Sequence, residues 1–268
     1  MNTASIHSPR SGTGTGPVIA LLLGLMLLLA GASSALALTD EEIRSAQKGV
    51  SAMPVGQRIA FWADKFVGVP YDPDPLGEYV TRKAIVADER VDCMYLTFRS
   101  LELSLGRTPE ESLDIALDKR FRTKGVVEGG VVTNYEDRFE YGEDMIDSGK
   151  WGREVTADLG PLTLVEGTRG KGQVGMLSKE TLLSLLKGDR GPQSALRSGD
   201  FIFFMTAPRK RVADEMVGHI GVVAQDEGSL LLIHASGKKK KGGMVRKVSL
   251  YDYLSSMPFA GVRVTRYY

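Results

Sequence analysis

From Arg197 onward the hydrophobic pattern of this chain changes to short, closely spaced runs, and that change sets its fold class. Phe201-Ile202-Phe203-Phe204-Met205 is an apolar run of strand length, entered through Ser198-Gly199-Asp200. Val217 to Val223 and Ser229 to Ala235 are two more, joined by a turn at Asp226-Glu227-Gly228. Met244 to Val248 follows a lysine-glycine loop, and Gly261 to Thr265 closes the chain after a short helix over Tyr251 to Met257. Closely spaced strands joined by turns predict an antiparallel sheet. The part before Arg197 reads differently. Thr39 with Asp40, Glu41 and Glu42 starts a helix that Met53-Pro54 ends, and Pro54 suits the first position of a second helix carrying Ile59, Trp62, Ala63 and Phe66. Thr108-Pro109-Glu110-Glu111 is a capping box opening a helix whose buried side is Leu113, Ile115, Ala116 and Leu117. Helices first and strands after predict an α+β domain.

Between these helices lie two stretches that do not fit either period. Val67 to Glu78 holds Pro70, Pro73 and Pro75 at near-alternate positions, which forces an extended, turn-rich segment of the kind that lines clefts. Asn134 to Ile146 mixes aromatics with charges and reads equally as a helix or as an irregular cover over the cleft. Gly160 to Gly175 reads as loops or short strands, and Ser178 caps a short helix bearing Leu182, Leu183, Leu185 and Leu186.

Residues 18–30 are an almost unbroken apolar run of 13 residues behind Arg10, followed by the small-x-small pattern Ala35-Leu36-Ala37. The run is short for a bilayer span, so the pattern predicts a secretory signal over 1–37, cut after Ala37, with no stable membrane anchor afterwards and a single domain over 38–268. The 34 basic and 33 acidic side chains nearly balance, which argues against nucleic-acid binding. Residues 38–199 carry five more acids than bases and residues 200–268 five more bases than acids, which favours their packing together and suits the later part to an anionic ligand.

Cys93 is the only cysteine in the 268 residues, so in an exported chain it has no intramolecular disulfide partner. Asp92 precedes it as an N-cap, Gly106 closes the helix, and Met94, Phe98, Leu101 and Leu105 form one apolar stripe. A thiol in the first turn of a helix meets unpaired amides and the positive dipole end, which favour the thiolate. The two histidines beyond residue 37, His219 and His234, fall on consecutive strands at nearly equal distances from the turn at Glu227, which makes them cross-strand neighbours. A thiol and two adjacent imidazoles form a nucleophile–base–orienter set. Two other readings use the same residues: a Cys–His–His zinc site, for which no close-spaced fourth ligand is evident, and histidines that fill buried polar positions. No glycine-rich phosphate loop or dinucleotide fingerprint occurs, so no cofactor is expected.

Asp92-Cys93, Gly199-Asp200-Phe201, His219-Ile220-Gly221-Val222 and Ile233-His234-Ala235 together resemble the NlpC-type papain-like peptidoglycan hydrolases, in order and approximate spacing. Val69-Pro70-Tyr71, Pro75-Leu76-Gly77-Glu78, Arg90-Val91-Asp92-Cys93 and Arg138-Phe139 with Asp144-Met145-Ile146 are similar to the N-acetylmuramoyl-L-alanine amidase-like branch, over about residues 55–268. The resemblance implies a papain-like single domain with the cysteine helix packed on the C-terminal sheet. It implies Cys93 as nucleophile, His219 as base, His234 as third polar member, and Tyr71, Glu78 and Asp92 as oxyanion or substrate-binding residues. Its implied activity is a periplasmic cysteine amidase acting on peptidoglycan fragments. A γ-D-glutamyl–diaminopimelate endopeptidase and a non-catalytic muropeptide-binding member are the alternatives. One departure is that Met94-Tyr95-Leu96 delays the first short polar residue, Thr97, which bears on substrate contacts rather than on the nucleophile.

Overall fold

Thr39 starts the first helix as its sequence predicts, its hydroxyl accepting from Glu42 N–H while the Glu42 carboxylate accepts from Thr39 N–H. The structure, a computed structural model, describes residues 38–187, 196–212, 214–238 and 241–268. The expected leader and its cleavage point lie outside the described residues. None of the described helices is long and apolar enough to cross a membrane. The described residues belong to one compact unit, Ala37–Tyr268.

Helices α1 (Asp40–Val50), α2 (Val55–Lys65), α3 (Glu78–Thr81), α4 (Cys93–Leu105) and α5 (Pro109–Lys119) precede a small hairpin of β1 (Val127–Glu128) and β2 (Val131–Val132). Then come α6 (Gly142–Asp147), β3 (Arg153–Glu154), α7 (Thr156–Leu159), β4 (Thr163–Glu166), β5 (Gln173–Ser178) and α8 (Lys179–Lys187). The C-terminal part is β6 (Phe201–Met205), β7 (Val217–Asp226), β8 (Ser229–Lys238), β9 (Gly242–Ser249), α9 (Leu250–Ser256) and β10 (Gly261–Arg266). Among the described residues, eight strands form one antiparallel sheet in the order β4-β5-β10-β6-β7-β8-β9, with β3 also on β10. The α+β reading therefore holds, with a correction. The sheet does not begin at Arg197: β3, and β4 and β5 from the Gly160 to Gly175 stretch read as loops or short strands, extend it beyond β10. β3 is two residues long and pairs with the distant β10, so local period carries little sign of it, whereas β4 pairs with its chain neighbour β5.

The sheet is covered on both faces. Phe201, Phe203, Met205, Ile220 and Val222 face a core with Ile59, Trp62, Tyr95 and Leu101 from the helical part. Ile202, Phe204, Val223, Leu232, Val262 and Val264 face a second core with Leu182, Leu250 and Leu254. The alternation along β6 is the period-2 signature of a strand buried on both sides. Basic side chains of the C-terminal part reach acids of the earlier part. Arg263 meets Glu154 at 2.8 Å and Asp147 at 3.1 Å, and Lys247 meets Asp64 at 2.7 Å. The uneven charge along the chain is thus partly used in packing its two parts together.

Helix α4 departs most from its expected form. Instead of one apolar stripe, every residue from Tyr95 to Ser104 is buried, Arg99 and Glu102 included. The charges are matched inside. Arg99 donates to Asp88 through Nε and Nη2, both at 2.8 Å, and Arg120 donates to Glu102 through Nε at 2.5 Å and Nη2 at 2.7 Å. Burial alone would raise the Asp88 pKa, but the Arg99 guanidinium overcomes it and holds that carboxyl below its ordinary value.

Two smaller corrections concern α5. Thr108 does cap it, but Glu111 reaches back to Arg107 N–H, at 2.9 Å, so the reciprocal half of the box is displaced by one residue. Its buried residues are Ser112 and Ala116, with Leu113 exposed, because Ser112 rather than a leucine faces α1 and bonds Gln47 Nε2 at 2.8 Å.

Glu102→Ala would leave the Arg120 guanidinium uncompensated in the interior, while Arg99 keeps Asp88, a loss of about 3–5 kcal/mol. Equilibrium urea unfolding measures it, and a loss below about 1 kcal/mol, the size of an exposed pair, would show that water reaches these charges.

Candidate active site

Asp92 adopts an extended backbone and its Oδ1 accepts from Tyr95 N–H at 2.8 Å, so the helix begins at Cys93 as the capping argument requires. Cys93 is half-buried in the first turn. The proline-containing segment is fixed against this start. Val91 N–H donates to Pro70 O at 3.0 Å and Asp72 N–H to Val91 O at 3.1 Å, while Tyr71 N–H donates to Gly243 O at 2.9 Å. Tyr71 is therefore held between the strand-like approach to Cys93 and β9, with its ring against Gly237, where even a Cβ would collide. Burial, with the nearby Cys93, Asp92 and Asp72 charges, pushes its phenol upward, so it stays a hydrogen-bond donor at neutral pH.

The histidines meet through strand register. The two-residue turn Glu227-Gly228 has φ of 43° and 85°, a twist that suits a tight hairpin, and it pairs Val222 with Ile233. His219 and His234 then lie diagonally on one face, with His219 Nε2 and His234 Nδ1 at 2.9 Å and their rings nearly perpendicular. The pair is ringed by aromatics: Phe204 and Tyr253 lie 5.8 and 5.9 Å from His219, and Tyr253 lies 4.6 Å from His234. Burial, then the neighbouring imidazole, lowers His219 from 6.5 to about 3. Burial, then Arg246 opposite it on β9, lowers His234 to about 4. His219 is partly open to the cleft. Both rings are neutral at pH 7, and a neutral imidazole whose Nε2 is committed to its neighbour keeps Nδ1 for proton exchange.

Cys93, His219, Tyr71 and Asp92 line one cleft of about 490 Å³, with Tyr79, Arg138, Tyr141 and Glu215 on its other walls. From the irregular 134–146 segment, Arg138 to Gly142 form part of that wall, between a 3₁₀ turn over Tyr135–Asp137 and α6. Glu78 differs. As the first residue of α3 it turns outward to Arg82 at 3.2 Å, the i,i+4 neighbour on the helix surface, and it is not among the residues lining the cleft. Its backbone does serve the site, since Glu78 N–H donates to Asp72 Oδ2 at 2.5 Å. Asp72, buried, also accepts from Asp74 N–H at 2.9 Å and so organises the loop. An Asp two residues before another turn residue is a readable Asx-turn signal that points to Asp72. Tyr253 and Phe259 had no such signal, because only α9 packing under β8 brings them to the histidines. Among the described residues no group of three or more His, Cys, Asp and Glu is placed to hold a metal ion.

No family model matches the chain, and no curated protein sequence does. Solved structures do resemble it. An N-acetylmuramoyl-L-alanine amidase from Bacteroides uniformis superposes with a TM-score of 0.57 at 22% identity, over 78% of this chain and 97% of that one. A Legionella pneumophila protein of the family DUF1460 gives a TM-score of 0.63 at 17% identity, over 84% and 93%. At such identities the likeness is one of fold. The chain shares the mixed helix-and-antiparallel-sheet architecture of these proteins across nearly their whole length.

The histidine pair sets a pH limit on stability. Folded, both rings resist protonation below the ordinary value of 6.5, so the unfolded chain binds more protons as pH falls. The contribution of the pair is full above pH 6.5 and is lost as pH drops towards about 4 and then about 3. Thermal melts of His234→Gln between pH 7.5 and 4.5 should show a shallower acid decline than wild type; parallel curves would remove this role from the pair.

Proposed function

We propose that the protein is a papain-like cysteine amidase of peptidoglycan fragments, cutting the bond between N-acetylmuramic acid and L-alanine. The observation that carries it is one cleft lined by Cys93 at the start of α4 and by His219, itself bonded to His234 at 2.9 Å. The likeness in fold to a structure named for this amidase activity supports the choice of bond. The export signal read over 1–37 supports a periplasmic site, where such fragments occur.

The chemistry follows from two neutral imidazoles. His219 removes the Cys93 thiol proton as Sγ attacks the amide carbon of the lactyl group, and the tetrahedral oxyanion is met by amides at the start of α4. Tyr71, which lines the same cleft and keeps its phenol proton, donates a further hydrogen bond to that oxyanion. His219, now an imidazolium steadied by His234, passes the proton to the leaving amino group of L-alanine, and the C–N bond breaks to leave a thioester. Water then attacks the thioester as His219 takes its proton and returns it to the departing Sγ. The sugar fragment is left with a free lactyl carboxylate. Asp92 keeps the helix start in place through its bond from Tyr95 N–H.

Mass spectrometry of a defined muropeptide panel incubated with the mature protein tests this reading. The expected products are intact stem peptides beginning with L-alanine. Cys93→Ala should slow their release at least about a thousandfold, as loss of a nucleophile does elsewhere. Release at the wild-type rate by that variant would overturn the mechanism, and products cut between glutamate and diaminopimelate would overturn the bond assignment.

A further inference from the structure

We infer that Arg169 and Glu143, which do not come from the catalytic helix or the histidine strands, are positioning residues that fix the bulge aiming His219 into the cleft. The inference rests on the amidase reading for the role of His219, and on the structure for everything else.

β7 does not pair evenly with β6. Phe204 lies opposite His219 and Met205 opposite Val217, so Gly218 is an extra residue between them. A bulge of this kind re-aims the side chain that follows it. Gly218 has no room for a side chain, because a Cβ would collide with Thr206 Oγ1. The entry to the bulge is held from outside the sheet. Glu143, on α6, is fully buried, and its carboxylate accepts from Met216 N–H through Oε1 and Val217 N–H through Oε2, both at 3.3 Å. Gly142 packs directly on the Val217 side chain.

A buried carboxylate bound only by two long amide contacts is costly unless a cation matches it. Arg169 supplies that cation from the loop between β4 and β5. Its Nη2 donates to Glu143 Oε1 at 2.7 Å and to Asp144 Oδ1 at 3.1 Å, and its Nη1 to Asp144 Oδ2 at 2.8 Å. The guanidinium also lies 3.7 Å from the ring centre of Tyr141, which lines the cleft. The loop is anchored on the other side as well, through Thr168 Oγ1 donating to Asp214 O at 2.7 Å and Lys171 to Asp147 at 2.7 Å. Arg169 holds a positive φ of 51° within a glycine-rich loop, a conformation glycine would adopt without strain. Keeping an arginine there is explained when its side chain ties the cleft wall to the start of the histidine strand.

Cys93 is the only cysteine, so its alkylation by iodoacetamide, followed by mass, reports the thiol alone. At pH 7, folded Arg169→Ala and Glu143→Gln should be alkylated at least roughly tenfold more slowly than wild type, since a distant change that displaces a reacting group by about 1 Å can cost up to about a hundredfold. Arg169→Lys should recover part of the rate, and the double variant should be no slower than Glu143→Gln alone. A folded Arg169→Ala protein with the wild-type alkylation rate overturns the inference and assigns the pair to stability only. If Arg169→Ala does not fold, Arg169→Lys, which keeps the cation and loses the fork, decides in the same way. The two readings fail separately. A wild-type protein that cuts no muropeptide sinks the amidase proposal, whereas this assay needs no muropeptide.

Discussion

Burying a helix on every side leaves its charged residues with one solution, a partner in the interior, and α4 depends on that solution. Arg99 and Glu102 cannot reach water, so Arg99 forks onto Asp88 and Arg120 forks onto Glu102. Such pairs add little net stability against an apolar core of equal shape, but each fork accepts one geometry and so resists any slip of the helix. Asp88 lies in the segment leading to Cys93, and Tyr95 donates its hydroxyl to the same carboxylate at 2.7 Å. The network therefore fixes the approach to the helix as well as its rotation. The position of a thiol at the first turn is only as definite as those two things.

The other side of the cleft is built on a different principle. His219 and His234 are placed by strand register, which a two-residue hairpin turn sets and a bulge at Gly218 modifies. Register alone does not hold a bulge, because the extra residue leaves ladder groups without strand partners. Here the amides of Met216 and Val217, leading into the bulge, are held by a carboxylate from α6, neutralised by a guanidinium from the β4–β5 loop. The loop between the short strands β4 and β5 thus carries one of the restraints the histidines need.

That division explains what was legible. β6, β7, β8 and β10 announce themselves through apolar runs and turn residues, and the adjacency of His219 and His234 follows from counting out from Glu227. The start of α4 is legible because capping is local, with Asp92 next to the residue it caps. The burial of Arg99 and Glu102 is not legible from the apolar stripe, because their partners, Asp88 and Arg120, lie 11 and 18 residues away in sequence. Glu78 is misplaced for the opposite reason. A motif marks where a chain segment runs but not which way one side chain turns, and a helix-surface neighbour, Arg82, takes that carboxylate out of the cleft.

The enclosure of the histidines bears on how the thiol is used. An imidazole ringed by Phe204, Tyr253 and Phe259 and bonded to a second neutral imidazole favours its uncharged form. A third member that was a carboxylate would stabilise the imidazolium and store the proton on His219 before substrate arrives. A histidine in that place accepts a hydrogen bond without adding negative charge, so transfer of the thiol proton is favoured less at rest. Charge separation is then deferred to the moment when a carbonyl in the cleft takes up the negative charge at the helix start. The pairing of a helix N-terminus with a neutral histidine dyad divides the work accordingly, the helix stabilising the developing anion and the dyad carrying the proton.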